Sequence, residues 1–552
     1  MKISQFYLLA ALLISFNTSN TVNAQEPYNI LWLSCEDIGP VMGAYGTKHI
    51  KTPNIDRLAQ EGVLFEKAYA TVGVCAPSRA SIITGMYPIN IGTHNMRTGN
   101  HWGYHSPEEE AYETAIKVKD KTGRNVPQYS VVPPSFVRCF SEYMREAGYY
   151  CTNNAKCDYQ FNCPLSAWDE VGNNAHYQHR KPNQPFFAVF NHGITHESQI
   201  WKQQKEPITV DTAQIQIPQY FADIPLVRRD VGRKYSNIEQ LDQQIGEWLQ
   251  KLKDENLLDK TIIFFWSDHG GPLLRQKRAV GNSGLHVPLI VRFPDKQKAG
   301  KRVKDIVSLM DLGPTVMSLA GIKPPKHMHG KAFLGEYKTN ESHQYAFGSA
   351  DRFDEHTEMS RSVIDGRFVY IRNYIMNQPY TYPLFYREQI EMTKALIKLN
   401  KKGLLKGEAA YIFQASKPYE ELYDLQNDPD EVHNLIHNSK HQTKLKELRT
   451  ALSEWQLKMH DKGFIPEHDL VNLMWPNGTQ PKTAQVELTD SKNTISLSSP
   501  TEGASIVYQL NDSIGSDHWR LYVHPIKLKK GKLVARAVRI GYQTSDIISI
   551  QY

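Results

Sequence analysis

A thiol, a hydroxyl and a guanidinium stand close together in Val74-Cys75-Ala76-Pro77-Ser78-Arg79, a string that runs on through Ala80 to Thr84 and stops at Gly85. Pro77 suits a first helical turn, where its missing N–H is not needed, and Ser78 to Thr84 have helical spacing. The pattern predicts a helix with Cys75 just ahead of it, where free backbone N–H groups and the helix dipole favour an anion. Arg79, predicted in the first turn, has a guanidinium able to fork onto an oxyanion. Taken singly, the same residues also describe a buried thiol ahead of an ordinary helix. Two further stretches place acids at strand ends. The apolar run Asn29 to Ser34 ends in Cys35-Glu36-Asp37, and Thr261 to Ser267 ends in Asp268-His269-Gly270. Open α/β sheets build their sites at the carboxyl ends of strands, and hard oxygen ligands there suit Ca2+ or Mg2+. A solvated acidic turn is the alternative for Glu36-Asp37 read alone.

The whole string Cys75-x-Pro77-Ser78-Arg79, with Thr84-Gly85 after it, resembles the signature of the type I sulfatases. In that family the cysteine is oxidised during secretion to formylglycine (3-oxoalanine), whose aldehyde hydrate is the nucleophile. The resemblance implies a cation held by Glu36, Asp37, Asp268 and His269 together with position 75. Sulfatases usually carry Asp-Asp at the first strand end, so Glu36 departs from the pattern by one methylene. Lys156, in Tyr149 to Asp158, stands where the family has a sulfate-binding lysine, and Asp158 stands where a histidine is usual. Asp158 is therefore the substitute base. After the strand Phe186 to Phe190, His196 is implied as the general acid facing the leaving oxygen, with His192 as fallback. Lys277 is implied as the second sulfate-binding lysine, ahead of Gly284-Leu285-His286-Val287-Pro288. Arg79, Lys156 and Lys277 would spread the charge of the sulfate. The likeness runs from about Pro27 to Phe464 and includes the structural hallmark Glu421-Leu422-Tyr423-Asp424-Leu425 with Asp428-Pro429 and Asn434-Leu435. The wording of Leu33 to Asp37 and of Gly284 to Pro288 is similar to the heparan N-sulfatase-like branch of polysaccharide-degrading bacteria.

Several elements must position these residues. Pro53 opens a helix through Leu58, a strand from Val63 to Tyr69 leads to Cys75, and Ser135 to Ala147 has helical periodicity up to Gly148. Val231 to Lys253 reads as one long amphipathic helix that Gly246 does not stop; Asp311 to Ala320 and Lys444 to Lys458 read as two more. Gly92 to Arg97 is a polar loop at a pocket rim, which makes His94 and Arg97 substrate-contact candidates. Asp351, Arg352 and Arg361 read as a charged loop facing either the sugar or solvent. Glu108 to Gln128 is charged and poorly patterned, a surface insertion. From about Pro476 short period-2 runs, with turns at Gly503, Gly531 and Gly541, predict a small β-sandwich. It resembles the C-terminal module of chitobiase-type hexosaminidases. Trp519 or Tyr522 could meet sugar there, but packing against the catalytic domain is the plainer role.

The fold class expected from the resemblance is α/β: an alkaline-phosphatase-like α/β sandwich, a smaller C-terminal α/β subdomain and the appended β-sandwich. The expected boundaries are a signal peptide over 1–24, a catalytic domain over 25–340, a subdomain over 341–475 and the β-module over 476–552. A length of 552 residues exceeds one ordinary core, and 40% hydrophobic against 22% charged residues excludes a disordered chain. The excess of 64 basic over 58 acidic residues suits a polyanion without requiring one, and no nucleic-acid partner is expected. Lys2, the apolar Tyr7 to Phe16 and the small residues Val22-Asn23-Ala24 predict export, periplasmic or secreted. That apolar core is too short for a permanent span, and no cysteine follows the cleavage point, so no membrane anchor is expected. Of the six cysteines, those from Cys151 to Cys163 could form a disulfide in an oxidising compartment, with a zinc site as the competing reading. The function implied is sulfate ester hydrolysis on a sulfated glycan, with a leaning to ulvan. A formylglycine-generating or sulfatase-maturating enzyme is the implied partner. A phosphonate or phosphate monoester hydrolase of the same superfamily, and a non-catalytic glycan-binding protein, are the two alternatives.

Overall fold

The computed structural model describes residues 27–96 and 118–551. The expected signal peptide, Arg97 and the first part of the expected insertion, 108–117, therefore lie outside the described residues. Eight strands make the main sheet: β1 (Asn29–Cys35), β2 (Val63–Tyr69), β3 (Tyr150–Asn154), β4 (Glu170–Val171), β5 (Phe186–His192), β6 (Thr261–Ser267), β7 (His286–Arg292) and β8 (Lys301–Ser308). Their order is β4-β3-β5-β1-β6-β7-β2-β8. From β4 to β6 the strands run parallel, and β7 is antiparallel to β6 and to β2.

The apolar strands read as unbroken runs because both faces of the sheet are covered. Ile30 and Trp32 of β1 join one core, with Phe187, Phe264 and Trp266, against helices α2 (Cys75–Thr84) and α3 (Phe140–Glu146). Leu31 and Leu33 point the other way, to Ile263 and Phe265 and to Ile238, Leu241 and Ile245 of α4 (Pro225–Asp254). Helix α1 (Pro53–Glu61) adds Ile55 and Leu58 to that second core. At Gly246 of α4 a Cβ would lie 2.7 Å from the Asn54 side chain, so the glycine allows the two helices to meet. The helix predicted from Ser135 forms only from Phe140.

A second, four-stranded antiparallel sheet follows, built of β9 (Ala346–Phe353), β10 (His356–Ile364), β11 (Phe368–Asn373) and β12 (Glu420–Asp424). Helix α5 (Gln442–Met459) covers it with Leu445, Leu448, Leu452 and Trp455, and α6 (Glu467–Met474) comes next. The charged loop expected at 351–361 is corrected here: Asp351 and Arg352 lie on β9 and Arg361 on β10, all buried.

The C-terminal residues form two small sheets: β13 (Glu487–Ser491), β14 (Thr494–Ser498), β15 (Ser505–Leu510), β16 (Arg520–Leu521), β17 (Ile526–Lys527), β18 (Lys532–Val538) and β19 (Ile548–Gln551). The orders are β13-β14-β17 and β16-β15-β18-β19, and Ile495, Leu497, Ile506, Leu533 and Ala535 share one core between them. This module packs on the larger domain. Ser505 Oγ donates to Glu142 Oε2 at 2.5 Å, and the Arg145 guanidinium donates to the Trp519 carbonyl at 2.6 Å. The Tyr522 hydroxyl accepts the Leu497 N–H at 3.1 Å, and the Arg536 guanidinium lies 5.8 Å from the centre of the Trp519 ring. All six cysteines carry free thiols, which corrects the expected disulfide. Among the described residues no helix is long and apolar enough to cross a membrane.

Candidate active site

Adjacent parallel strands bring the site together. β3, β5, β1 and β6 all end on the same edge of the sheet, so the residues that follow them become neighbours. β1 delivers Glu36 and Asp37, β6 delivers Asp268 and His269, β5 leads to His196, and β3 leads to Lys156 and Asp158. Asp37 has φ 55, a left-handed conformation uncommon for a side-chain-bearing residue and typical of functional sites. Its N–H donates to Asp268 Oδ1 at 3.2 Å, and the Asp268 N–H donates to the Cys35 carbonyl at 3.2 Å. The two strand ends are thus stitched to each other. At Gly270 a Cβ would lie 2.1 Å from the Ser283 carbonyl, so the turn after His269 needs a glycine.

Cys75 is the first residue of α2, with Val74 as its N-cap, so the helix starts at the thiol and not after it. Gly85, at φ 67, ends that helix in the left-handed region as the sequence pattern requires. The thiol is fully buried, 3.3 Å from His269 Nε2 and 3.9 Å from Asp37 Oδ1. Ligand atoms of Asp37, Cys75, Asp268 and His269 all lie within 4.8 Å of one another. Two carboxylates, an imidazole and position 75 converging in this way fit a divalent cation. His269 shows how strongly the place gathers positive charge: burial opposes its protonation, yet Asp268 and Asp37 push its pKa up to about 10.

Glu36 stands outside that group of four. Its Oε1 accepts from Lys156 Nζ at 2.5 Å and from the Arg79 guanidinium at 3.3 Å. Burial works against its charge, but Lys156, His196 and Arg79 hold its pKa at about 2. This carboxylate thus lies among the cations Lys156 and Arg79, beside the group of four. Arg79, buried despite its charge, also donates to Asp268 Oδ2 at 3.1 Å and to Asn191 Oδ1 at 2.8 Å. Lys277 donates to Asp37 Oδ2 at 2.6 Å; burial opposes its charge, and Asp37 keeps it protonated. Asp158 Oδ2 lies 3.5 Å from Lys156 Nζ and makes no hydrogen bond.

His196 is buried, with Nδ1 2.9 Å from Ser198 Oγ and Nε2 4.0 Å from Glu36 Oε2. Among the described residues Nε2 has no hydrogen-bond partner. Burial and the Lys277 ammonium lower its pKa to about 3. His192, the fallback, uses Nδ1 on the Ser34 carbonyl at 2.9 Å. The structure therefore brings Glu36, Asp37, Cys75, Arg79, Lys156, Asp158, His196, Asp268, His269 and Lys277 to one place. It does not bring Asp351, Arg352 and Arg361 there as free ligands for sugar. Arg361 pairs with Asp351 at 3.0 Å and Asp461 at 2.7 Å, and Arg352 pairs with Glu467. His94 is buried, with Nδ1 unpartnered among the described residues. Sequence reasoning missed Asn191 and Glu197. Asn191 accepts from Arg79 and from Ser34 Oγ at 2.7 Å, while Glu197 forks with Arg278 at 3.0 Å and gives its N–H to Asp37 Oδ2 at 2.7 Å. Both border the histidines that drew attention in the sequence; for Asn191 a polar residue at a strand end was the available signal, whereas Glu197 follows the short turn after that strand.

A mixed sheet with buried cations beside a convergent carboxylate–imidazole group defines a metal-assisted ester hydrolase of the alkaline-phosphatase-like fold. Residues 28–322 match the sulfatase family, and residues 270–392 match the C-terminal domain of N-sulphoglucosamine sulphohydrolase. The chain belongs to the sulfatase family and is a sulfuric ester hydrolase. It is 41% identical to an ulvan-active sulfatase of Formosa agariphila, over 95% of this chain and 91% of that one. It is 26% identical to human N-sulphoglucosamine sulphohydrolase, over 79% and 91%. A solved 2-O GAG sulfatase superposes with a TM-score of 0.53 at 19% identity, covering 79% of this chain and 93% of that one, a likeness of fold. The family carries formylglycine and a divalent cation, and the Asp37, Cys75, Asp268 and His269 group fits both.

Proposed function

We propose that this chain is an exported enzyme, periplasmic or secreted, that removes sulfate from a sulfated polysaccharide or its oligosaccharides. Ulvan is the favoured source, because the Formosa agariphila relative similar over nearly the whole chain bears that activity in its name. The observation that carries the reading is the convergence of Asp37, Cys75, Asp268 and His269, with Lys277 on Asp37 and Lys156 on Glu36. Asp37, Asp268 and His269 would hold the cation, Ca2+ or Mg2+, both of which take carboxylate oxygens. The cation supplies Lewis-acid polarisation, and residue 75, once matured by a formylglycine-generating or sulfatase-maturating enzyme, supplies a geminal diol as nucleophile.

The other residues bind, orient and move protons. Arg79, Lys156 and Lys277 stay charged in a buried site, where fixed positive groups stabilise a transferring sulfate far better than in water. Each is held by a carboxylate, so its position is set before substrate arrives. His196 would donate the proton to the leaving sugar oxygen through Nε2. At a pKa of about 3 it takes up that proton only when the negative sulfate ester comes beside it and raises its basicity. Asp158 is the candidate to receive the proton released when the aldehyde returns, since its Oδ2 makes no hydrogen bond in the resting site. The boundaries at 340 and 475, and the likeness of the last domain to chitobiase-type modules, belong to the same proposal.

A desulfation screen over defined sulfated oligosaccharides, with aryl sulfate and aryl phosphate esters run in parallel, tests the function. Sulfate release from ulvan oligosaccharides with slow phosphate release is the expected result. Preferred hydrolysis of phosphate or phosphonate esters would favour the alternative hydrolase. Turnover of none of them, by protein whose residue-75 peptide has the mass of the aldehyde, would leave a glycan-binding role.

A further inference from the structure

A cavity of about 70 Å3 lies between the segment 275–281, strands β9 to β11 and the segment 380–387. A single water needs about 10–15 Å3 of such space, so a small ion with its own waters fits. Five cationic side chains line it, Arg275, Lys277, Arg278, Arg387 and Lys417, against the three acids Glu358, Glu421 and Glu431. Four of the five have compensating groups. Lys277 is on Asp37, and Arg278 is on Glu197 and Asp354. Lys417 is on Glu358, and Arg275 packs over the rings of Tyr220, Tyr380 and Tyr411 with its NH2 on the Glu431 carbonyl.

Arg387 differs. It is 3% exposed, and its guanidinium lies 4.9 Å over the Tyr382 ring. One amino group donates to the Tyr382 carbonyl, and Nε makes no hydrogen bond. Among the described residues no carboxylate is in ion-pair contact with it. A guanidinium held out of water without a counter-charge is strongly unfavourable. Glu431, raised to about 7 by burial, supplies less than a full negative charge to the same wall.

We infer that this cavity binds a small monovalent anion of the halide class, chloride in ordinary salt, against the Arg387 guanidinium. The ion would neutralise Arg387, the lining cation with no carboxylate partner among the described residues, and tie the 380–387 segment to the loop that carries Lys277. This does not depend on the ester the enzyme cleaves.

The test uses the full-length protein dialysed into sodium gluconate and then titrated at constant ionic strength with sodium chloride, bromide or sulfate. The expected result is a saturable rise in Tm with chloride and bromide, absent with gluconate and lost in Arg387→Gln. Crystals of the native protein soaked in bromide should show an anomalous peak beside Arg387, a readout that stands even if the variant does not fold. No saturable response, an undiminished response in a folded Arg387→Gln protein, or no bromide in the cavity overturns the inference. A response to sulfate alone overturns the halide assignment.

Discussion

At the scale of single residues, the resting state of His196 sets the sharpest expectation. Held near a pKa of 3 by burial and Lys277, it donates a proton only to a substrate that brings negative charge, and only a basic leaving oxygen needs that proton. His196→Ala is expected to slow sulfated sugars by roughly 10²–10⁴-fold and an aryl sulfate far less; equal losses on the two, in parallel kcat/KM measurements, would make it a binding residue. Lys277 and Asp268 should separate in a different way. Lys277→Ala should keep the metal and lose about 2–4 kcal/mol of transition-state stabilisation, while Asp268→Ala should lose metal and turnover together. Elemental analysis of both variants beside their rates checks this. Much of the site was legible at this scale, because Cys75, Arg79, Asp37, Asp268 and His269 sit in strings whose order survives in the sequence. The pairing of Glu36 with Lys156 was not, since the two residues stand 120 apart in the chain. Pairings across the chain, such as Glu197 with Arg278, have no local signature.

Among elements, β1, β5 and β6 were read from their apolar runs and lie where those runs predict, because a sheet covered on both faces leaves no polar alternation to obscure them, whereas β3, β4, β7 and β8 were not read as strands. The same rule failed for β9 and β10. Asp351, Arg352 and Arg361 look like a solvated loop, yet all are buried in ion pairs, Arg361 with Asp351 on the neighbouring strand and with Asp461, and Arg352 with Glu467. Arg352 donates to both oxygens of Glu467, tying β9 to α6. Breaking one partner of such a buried pair typically costs about 3–5 kcal/mol. Glu467→Ala is therefore expected to lower unfolding free energy on that scale in urea titration, with the metal group left in place. A change within experimental error would show that water replaces the carboxylate.

For the whole molecule, acid sensitivity follows from buried neutral histidines. Burial and Arg361 lower His94 to about 4, below the ordinary value of about 6.5. The unfolded chain then binds a proton that the folded chain refuses. Stability present above pH 6.5 is lost as pH falls toward 4, by about 3 kcal/mol for this group. His329 and His356, also lowered to about 4 by burial, act in the same sense. Asp351, raised to about 7 by burial, acts oppositely and loses stability as pH rises through 7. His94→Gln should flatten the fall between pH 6.5 and 4 in urea unfolding; an unchanged slope would place the effect elsewhere. The central claim, that position 75 is the nucleophile of a sulfate ester hydrolase, meets its most direct test in sulfate release. Native protein and Cys75→Ala, both produced with a formylglycine-generating enzyme, are given ulvan oligosaccharides and the freed sulfate is measured. Release by the native protein and none by Cys75→Ala is the expected result, and near-native release by Cys75→Ala would contradict it.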